Sequence, residues 1–319
     1  MKIWLRTLNS LSAKMDICST AVEMVFYHLY AAMKNLNLPV VLEDPHERCV
    51  ELWHGWDFQP KGGNINIVIT TGGHEITRWV RWQEIDCIFV SSQQGMNIIG
   101  DCSKPVYIWH HRAVDPEIFH VLERADEPFI FVHSVFPQEH KGSNMLCKVF
   151  NETFGGIDNA FLYINHPRST QYGLLEFIDK YKSGKIIFTA QTYNSRKEAW
   201  KLYNGNCYVY PTLLDSAANT VCEALSTGIP AIVSDIPLFR ELLDDDCVWW
   251  IEMNSDVGRH GCGSPSIASI REQMLYAYEH RLEARQKGKY GAQFIRAKYT
   301  WEGCIIREFL PIMREKGYL

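Results

Sequence analysis

The sequence lacks a surplus of basic charge: 32 Lys and Arg stand against 37 Asp and Glu, a formal net charge of -5. Binding along a phosphate backbone draws on excess cations, so nucleic acid is not expected as a partner. The ten cysteines include no C-x-x-C pair, which excludes zinc-ligand spacing and a redox motif and leaves buried thiols in a reducing compartment. No Walker A sequence or G-x-G-x-x-G occurs, so the common glycine-rich phosphate loops are absent. The longest apolar stretch, Ile17 to Met33, is interrupted by Glu23 and His28, and no transmembrane segment is expected. Met1-Lys2-Ile3-Trp4-Leu5-Arg6 has no small-residue cleavage site, which argues against a signal peptide and for a cytoplasmic protein. Peripheral membrane contact is compatible with this reading, although no basic amphipathic helix stands out to support it. Internal repeats, low-complexity tracts and heptad runs are also missing.

What is present is ordinary globular material, 319 residues with 46% hydrophobic and 22% charged content, enough for two cores of moderate size. Short β-rich apolar runs alternate with helical stretches, the pattern of α/β domains with parallel sheets. A first series of predicted strands is Lys2–Leu5, Pro39–Leu42, Asn66–Ile69, Cys87–Val90 and Val106–Trp109, with a helix over Ile17–Met33. A second comprises Phe129–Val132, Phe161–Ile164, Lys185–Phe188, Cys207–Tyr210 and Ala231–Val233. Asp115-Pro116 and the charged stretch Glu123 to Pro128 lie between the series and mark a domain junction.

The most informative segment runs from Tyr210 to Glu241 and reads as strand, loop, helix, strand, loop, helix. Ser216 or Asn219 is a candidate cap for a helix ending at Gly228, where a left-handed residue suits glycine. Ile229-Pro230 launches the next strand, and Pro237 fits the first turn of the helix after it. Loops at the carboxyl ends of parallel strands bind ligands in open α/β sheets, and helix amino-termini there favour phosphates.

This segment resembles the signature of glycosyltransferase family 4, in which two glutamates separated by seven residues precede an alanine-rich helix, Gly-x-Pro and a strand. Glu223 matches the second glutamate and Asp215 falls on the first; Ala224, Gly228, Pro230, Ser234, Asp235, Pro237 and Glu241 continue the pattern. Arg112 to Phe119 is similar to the family's G-V-D-x-x-x-F stretch. Phe129 to Gly142 resembles the first strand and loop of its donor domain, and Lys298 to Glu302 its closing motif. The resemblance implies the GT-B fold: two Rossmann-like α/β domains facing a cleft, with a C-terminal helix crossing back to the N-terminal domain. Residues 1–120 with 300–319 would form the acceptor side and 121–299 the nucleotide-sugar donor domain.

The same resemblance implies a retaining, metal-independent hexosyltransferase that uses a UDP- or GDP-sugar and an unidentified glycan, lipid or protein acceptor. Lys141 would bind the diphosphate, Asp215 would orient the sugar, and Glu223 would take the ribose hydroxyls. Ser216, Ala217, Ala218, Asn219 and Thr220 would line the donor pocket, with His133, Ser134, Ala190 and Gln191 beside it. His74 is a catalytic candidate on the acceptor side, and His54, Trp53 and Trp56 are acceptor-contact candidates, since indoles stack on sugars. The sequence departs from the family at His133-Ser134, where Gly-Arg is usual and a guanidinium would clamp the diphosphate. Asp215 is one methylene shorter than glutamate. Two alternatives therefore stand beside sugar transfer: a binding module that has lost its chemistry, and another GT-B reaction such as nucleotide-sugar epimerisation. Asp244-Asp245-Asp246 reads as a solvated loop rather than a metal site, and His110-His111 points to opposite faces of an extended segment.

Overall fold

Within the computed structural model, which describes residues 1–6, 21–54, 62–70, 82–100, 102–111, 113–135, 138–166, 180–181, 184–190, 196–216, 218–256 and 263–319, all ladders between the strands are parallel. The chain divides into two compact units, Met1–Asp115 with Lys298–Leu319, and Pro116–Ala297. Each holds one six-stranded sheet, so the architecture is the α/β arrangement expected.

In the first unit β1 (Ile3–Arg6), β2 (Val40–Val41), β3 (Val50–His54), β4 (Ile65–Thr70), β5 (Cys87–Val90) and β6 (Val106–Ile108) lie in the order β2-β1-β3-β4-β5-β6. Helices α1 (Ala21–Asn35) and α2 (Gln93–Ile99) belong to this unit. All six residues of β4 are buried, as expected of a central parallel strand covered on both faces. Sequence periodicity misses β3 because Glu51 interrupts its apolar run. That carboxylate is fully buried, bonded by Asn64 and 3.8 Å from the Arg6 guanidinium. The segment after Lys298 returns to this unit: Val114 N donates to Tyr299 O at 2.8 Å, and Phe309 stacks on Trp109 with centroids 4.5 Å apart. Helical residues 301–315 contain a π turn over Ile305–Phe309, next to Pro311, whose missing N–H disturbs the regular ladder.

The second unit contains β7 (Phe129–Ser134), α3 (Ser143–Phe154), β8 (Ala160–Asn165), β9 (Ile186–Thr189), β10 (Cys207–Tyr210) and α4 (Asn219–Ser226). After these come β11 (Ala231–Ser234), α5 (Pro237–Leu242), β12 (Val248–Ile251), α6 (Ile267–Glu279) and α7 (Arg281–Lys298). The strand order is β12-β11-β10-β7-β8-β9. Phe131, Phe150, Phe154, Leu162 and Met274 share one core cluster, which joins β7 and β8 to α3 and α6 through removal of apolar surface from water. β12 forms one edge of the sheet, and the helical stretch is broken between α6 and α7 at His280 (φ -108, ψ 52). Among the described residues no helix is long and apolar enough to cross a membrane. Cys49, Cys87, Cys147 and Cys207 are buried thiols.

Candidate functional site

In the second sheet the order of strand addition reverses beside β7. The chain steps outward from β7 through β8 and β9, then resumes on the other side at β10. A switch point of this kind opens a crevice beyond the carboxyl ends of the two strands. Val135 and Gln138 to Gly142 follow β7 there, and Pro211 to Ser216 with Ala218 follow β10. A backbone bond stitches the two loops together, since His140 O accepts from Leu213 N at 2.8 Å. Gly142 (φ +76) lies against the second loop so closely that a Cβ would stand 2.0 Å from Pro211 O. Glycine is required by both the backbone conformation and the space.

This stitching brings Lys141 to Asp215, with Nζ 3.1 Å from Oδ2 and 5.4 Å from the Tyr210 ring centroid. The same Oδ2 accepts from Tyr210 OH, while Oδ1 accepts from Ser216 N at 2.7 Å and Ala218 N at 3.2 Å. Asp215 therefore organises the turn leading into α4. The capping expectation is corrected accordingly: Ala218 holds the cap position with φ +54, Asn219 is the first helical residue, and neither Ser216 nor Asn219 bonds as a side-chain cap. Gly228 (φ +79) does close the turn after α4.

Glu223 lies on α4 with 7% exposure and accepts a 2.6 Å hydrogen bond from Tyr203 OH. Tyr208, on β10, is fully buried. Burial raises its phenol, and the negative charges of Asp215 and Glu223 add to the effect. Tyr208 OH donates to Ser134 O at 3.2 Å.

His133 occupies a different place from the one expected of a phosphate contact. It is fully buried, with Nδ1 2.8 Å from Val209 O and Nε2 2.8 Å from Ser143 Oγ. A carbonyl only accepts, so Nδ1 carries the proton and Nε2 accepts from Ser143; Ser143 Oγ then accepts from His166 Nε2 at 3.0 Å. Burial holds His133 down to about 3, helped by the charges of His166 and Lys141, and burial holds His166 down to about 4. The neutral chain fixes the first residue of α3 directly after Lys141-Gly142. Both His133 nitrogens are thus committed to protein partners.

The remaining candidates divide. Ala190 is exposed just beyond edge strand β9. In the first unit Trp53 is only 5% exposed, packs with Val68 and Ile88, and lies 4.2 Å from the Arg6 guanidinium. It is core rather than a sugar platform, because β3 turns it inward. His54 ends β3, where its backbone pairs with Ile69. His74, Trp56, Ala217 and Gln191 lie outside the described residues. Sequence reasoning missed Tyr203, Tyr210, Ser143 and His166. Only Ser143, directly after Lys141-Gly142, carried a readable signal, as a helix-start residue.

A cavity of about 650 Å³ lined by Val121, Arg124, Asp126, Phe129, Pro230 and Arg285 lies at the amino-terminal edge of the sheet, away from both loops. Its Arg285 pairs with Asp126. Asp245 accepts from Arg240 and Trp250, and Asp244 from Cys247 N. Among the described residues, no three His, Cys, Asp or Glu side chains gather as a metal site would require.

No protein-family model matches this chain. It is 29% identical over 110 residues to an uncharacterized glycosyltransferase, MJ1059, of Methanocaldococcus jannaschii, an alignment covering 34% of this chain and 26% of that protein. The matched stretch is thus about a quarter of the relative's length. Among solved structures, the fold is similar to sucrose-phosphate synthase from Thermosynechococcus elongatus, with TM-score 0.74, 12% identity, and 99% and 98% of the two chains covered. It is also similar to Anabaena HepE in complex with UDP and glucose, with TM-score 0.70, 7% identity and 100% of each chain covered. TarM follows with TM-score 0.65, 12% identity, and 90% and 58% covered. The chain has the two-domain α/β fold of GT-B glycosyltransferases.

Proposed function

We propose that this chain is a retaining, metal-independent glycosyltransferase of the family 4 kind, moving a hexosyl group from a UDP- or GDP-sugar to a hydroxyl on a glycan, lipid or protein acceptor. The observation that carries this reading is the meeting of Lys141 and Asp215 at 3.1 Å, across two loops at the switch point, with Glu223 eight positions further on. Cleavage of the sugar-phosphate bond leaves charge on a nucleoside diphosphate, and a preorganised cation in a partly buried site stabilises that charge. Lys141 supplies it. Asp215 keeps the ammonium in place and shapes the turn that faces the sugar, and Glu223 accepts from ribose hydroxyls. Thr220, Asn219 and Ser216 border the same pocket, with Ala190 toward the nucleobase. The MJ1059 description and the UDP and glucose held by HepE support a nucleotide-sugar donor. His54 and His74 are the acceptor-side candidates.

Replacing Lys141 with alanine should lower donor turnover by about a hundredfold or more, measured as nucleoside diphosphate release with a panel of UDP- and GDP-sugars. Unchanged turnover would overturn the assignment. Retention is read separately, from the anomeric configuration of the product by NMR. One observation favours the binding-module alternative: Ser134 stands where the resemblance expects arginine, and neutral His133 adds no charge. Donor binding without turnover across the panel would identify it.

A further inference from the structure

Tyr203 ends the 3-10 helix Arg196–Tyr203 and lies outside every motif in the sequence. Its ring is fully buried, edge-on to Phe119 at 5.9 Å and to Tyr208 at 5.7 Å. Its carbonyl accepts from Gly205 N at 3.0 Å. The phenol thus has little freedom, and it is aimed at Glu223 Oε2, 2.6 Å away. A short O–H···O contact to a carboxylate is strong and directional. It sets the direction of one oxygen of the carboxylate, and with it the rotamer of the Glu223 side chain.

Phe119 gives a motif residue a physical task. It closes the G-V-D-x-x-x-F-like stretch, its ring packs on Tyr203, and its carbonyl accepts from Ser226 Oγ at 2.8 Å at the end of α4. Phe119 therefore braces both the phenol and the helix that carries the carboxylate.

We infer that Tyr203, held by Phe119, is a positioning residue that fixes the Glu223 carboxylate for recognition of the donor's ribose hydroxyls. The inference rests on the reading of Glu223 given above. Tyr203 touches no substrate; it acts by removing the conformational cost that Glu223 would otherwise meet on binding. Its loss should therefore weaken recognition of the hydroxylated sugar ring of the nucleotide, and leave the diphosphate contact through Lys141 in place.

The test is calorimetric binding of UDP and GDP, and of their 2′-deoxy and 3′-deoxy forms, to the full chain. The wild type should prefer the ribonucleotide over at least one deoxy form, and Glu223→Gln should abolish that preference. Tyr203→Phe keeps the ring and removes only the hydroxyl. It should lose most of the preference, with affinity for the ribonucleotide falling about tenfold and affinity for that deoxy form nearly unchanged. Phe119→Leu leaves the hydroxyl in place and should give a smaller loss of the same kind, which covers the case in which Tyr203→Phe does not fold. If Glu223→Gln loses the preference while Tyr203→Phe, or Phe119→Leu in its stead, retains it in full, the positioning role is overturned and the ribose reading survives. If Glu223→Gln itself keeps the preference, or the wild type shows none, the ribose reading fails and the inference falls with it.

Discussion

Asp215 receives Lys141, Tyr210 OH and two backbone amides on its two oxygens, which fills the acceptor capacity of a carboxylate. A side chain so engaged is suited to holding other groups still and poorly suited to attacking an anomeric carbon. Gly142 makes this arrangement possible, because the αL backbone and the contact with Pro211 O admit no side chain. Gly142→Ala should destabilise the protein by about 2 kcal/mol or more and weaken nucleotide binding in parallel. Urea denaturation together with calorimetric titration would show it, and unchanged values in both would contradict the tight approach. At this scale the sequence was partly legible. Lys141, Asp215 and Glu223 stand in a recognisable order, whereas Tyr203 reaches Glu223 through a 3-10 turn whose residues follow no pattern. His133 was legible as a departure from the family, but its place in a buried chain depends on Ser143 at the start of α3 and on His166 and Val209, which the parallel pairing of β7 with β8 and β10 brings beside it.

Among the elements, β7 and α3 are joined by that chain of neutral imidazoles and one hydroxyl. An unperturbed histidine titrates near about 6.5, whereas His133 and His166 are held down to about 3 and about 4. As pH falls below about 6.5 the unfolded chain takes up protons on both rings and the folded chain does not. The stability they contribute is complete above that value and is lost as pH drops toward 4 and 3, at about 1.4 kcal/mol per pH unit for each ring. Urea midpoints collected between pH 7 and 5 should therefore fall with acidity. His166→Gln should make that dependence shallower, and an identical slope would show that this ring does not take part. Strand prediction succeeded where apolar runs were continuous, as in Cys87–Val90 and Cys207–Tyr210. It missed β3, whose Glu51 meets Asn64 and, at 3.8 Å, the Arg6 guanidinium once the sheet is formed, and β12, whose residues Val248-Trp249-Trp250-Ile251 follow a run of aspartates.

For the molecule as a whole, the α/β alternation announced the fold class, whereas the return of the last segment was legible only through the family resemblance. The chain enters the second unit after Asp115 and leaves it after Ala297. The first unit is therefore built from two stretches and the second from one. Shortening the chain after Ala297 would strip the first unit of Phe309 from Trp109 and of Trp301 from its stacking partner His28. Limited proteolysis of that variant should cut preferentially before residue 116, and equal resistance in both units would refute the dependence. Although its strands emerge from the ribosome first, the first unit must wait with an uncovered aromatic surface until the second has been translated in full, so the earlier domain to be made is the later one to be finished.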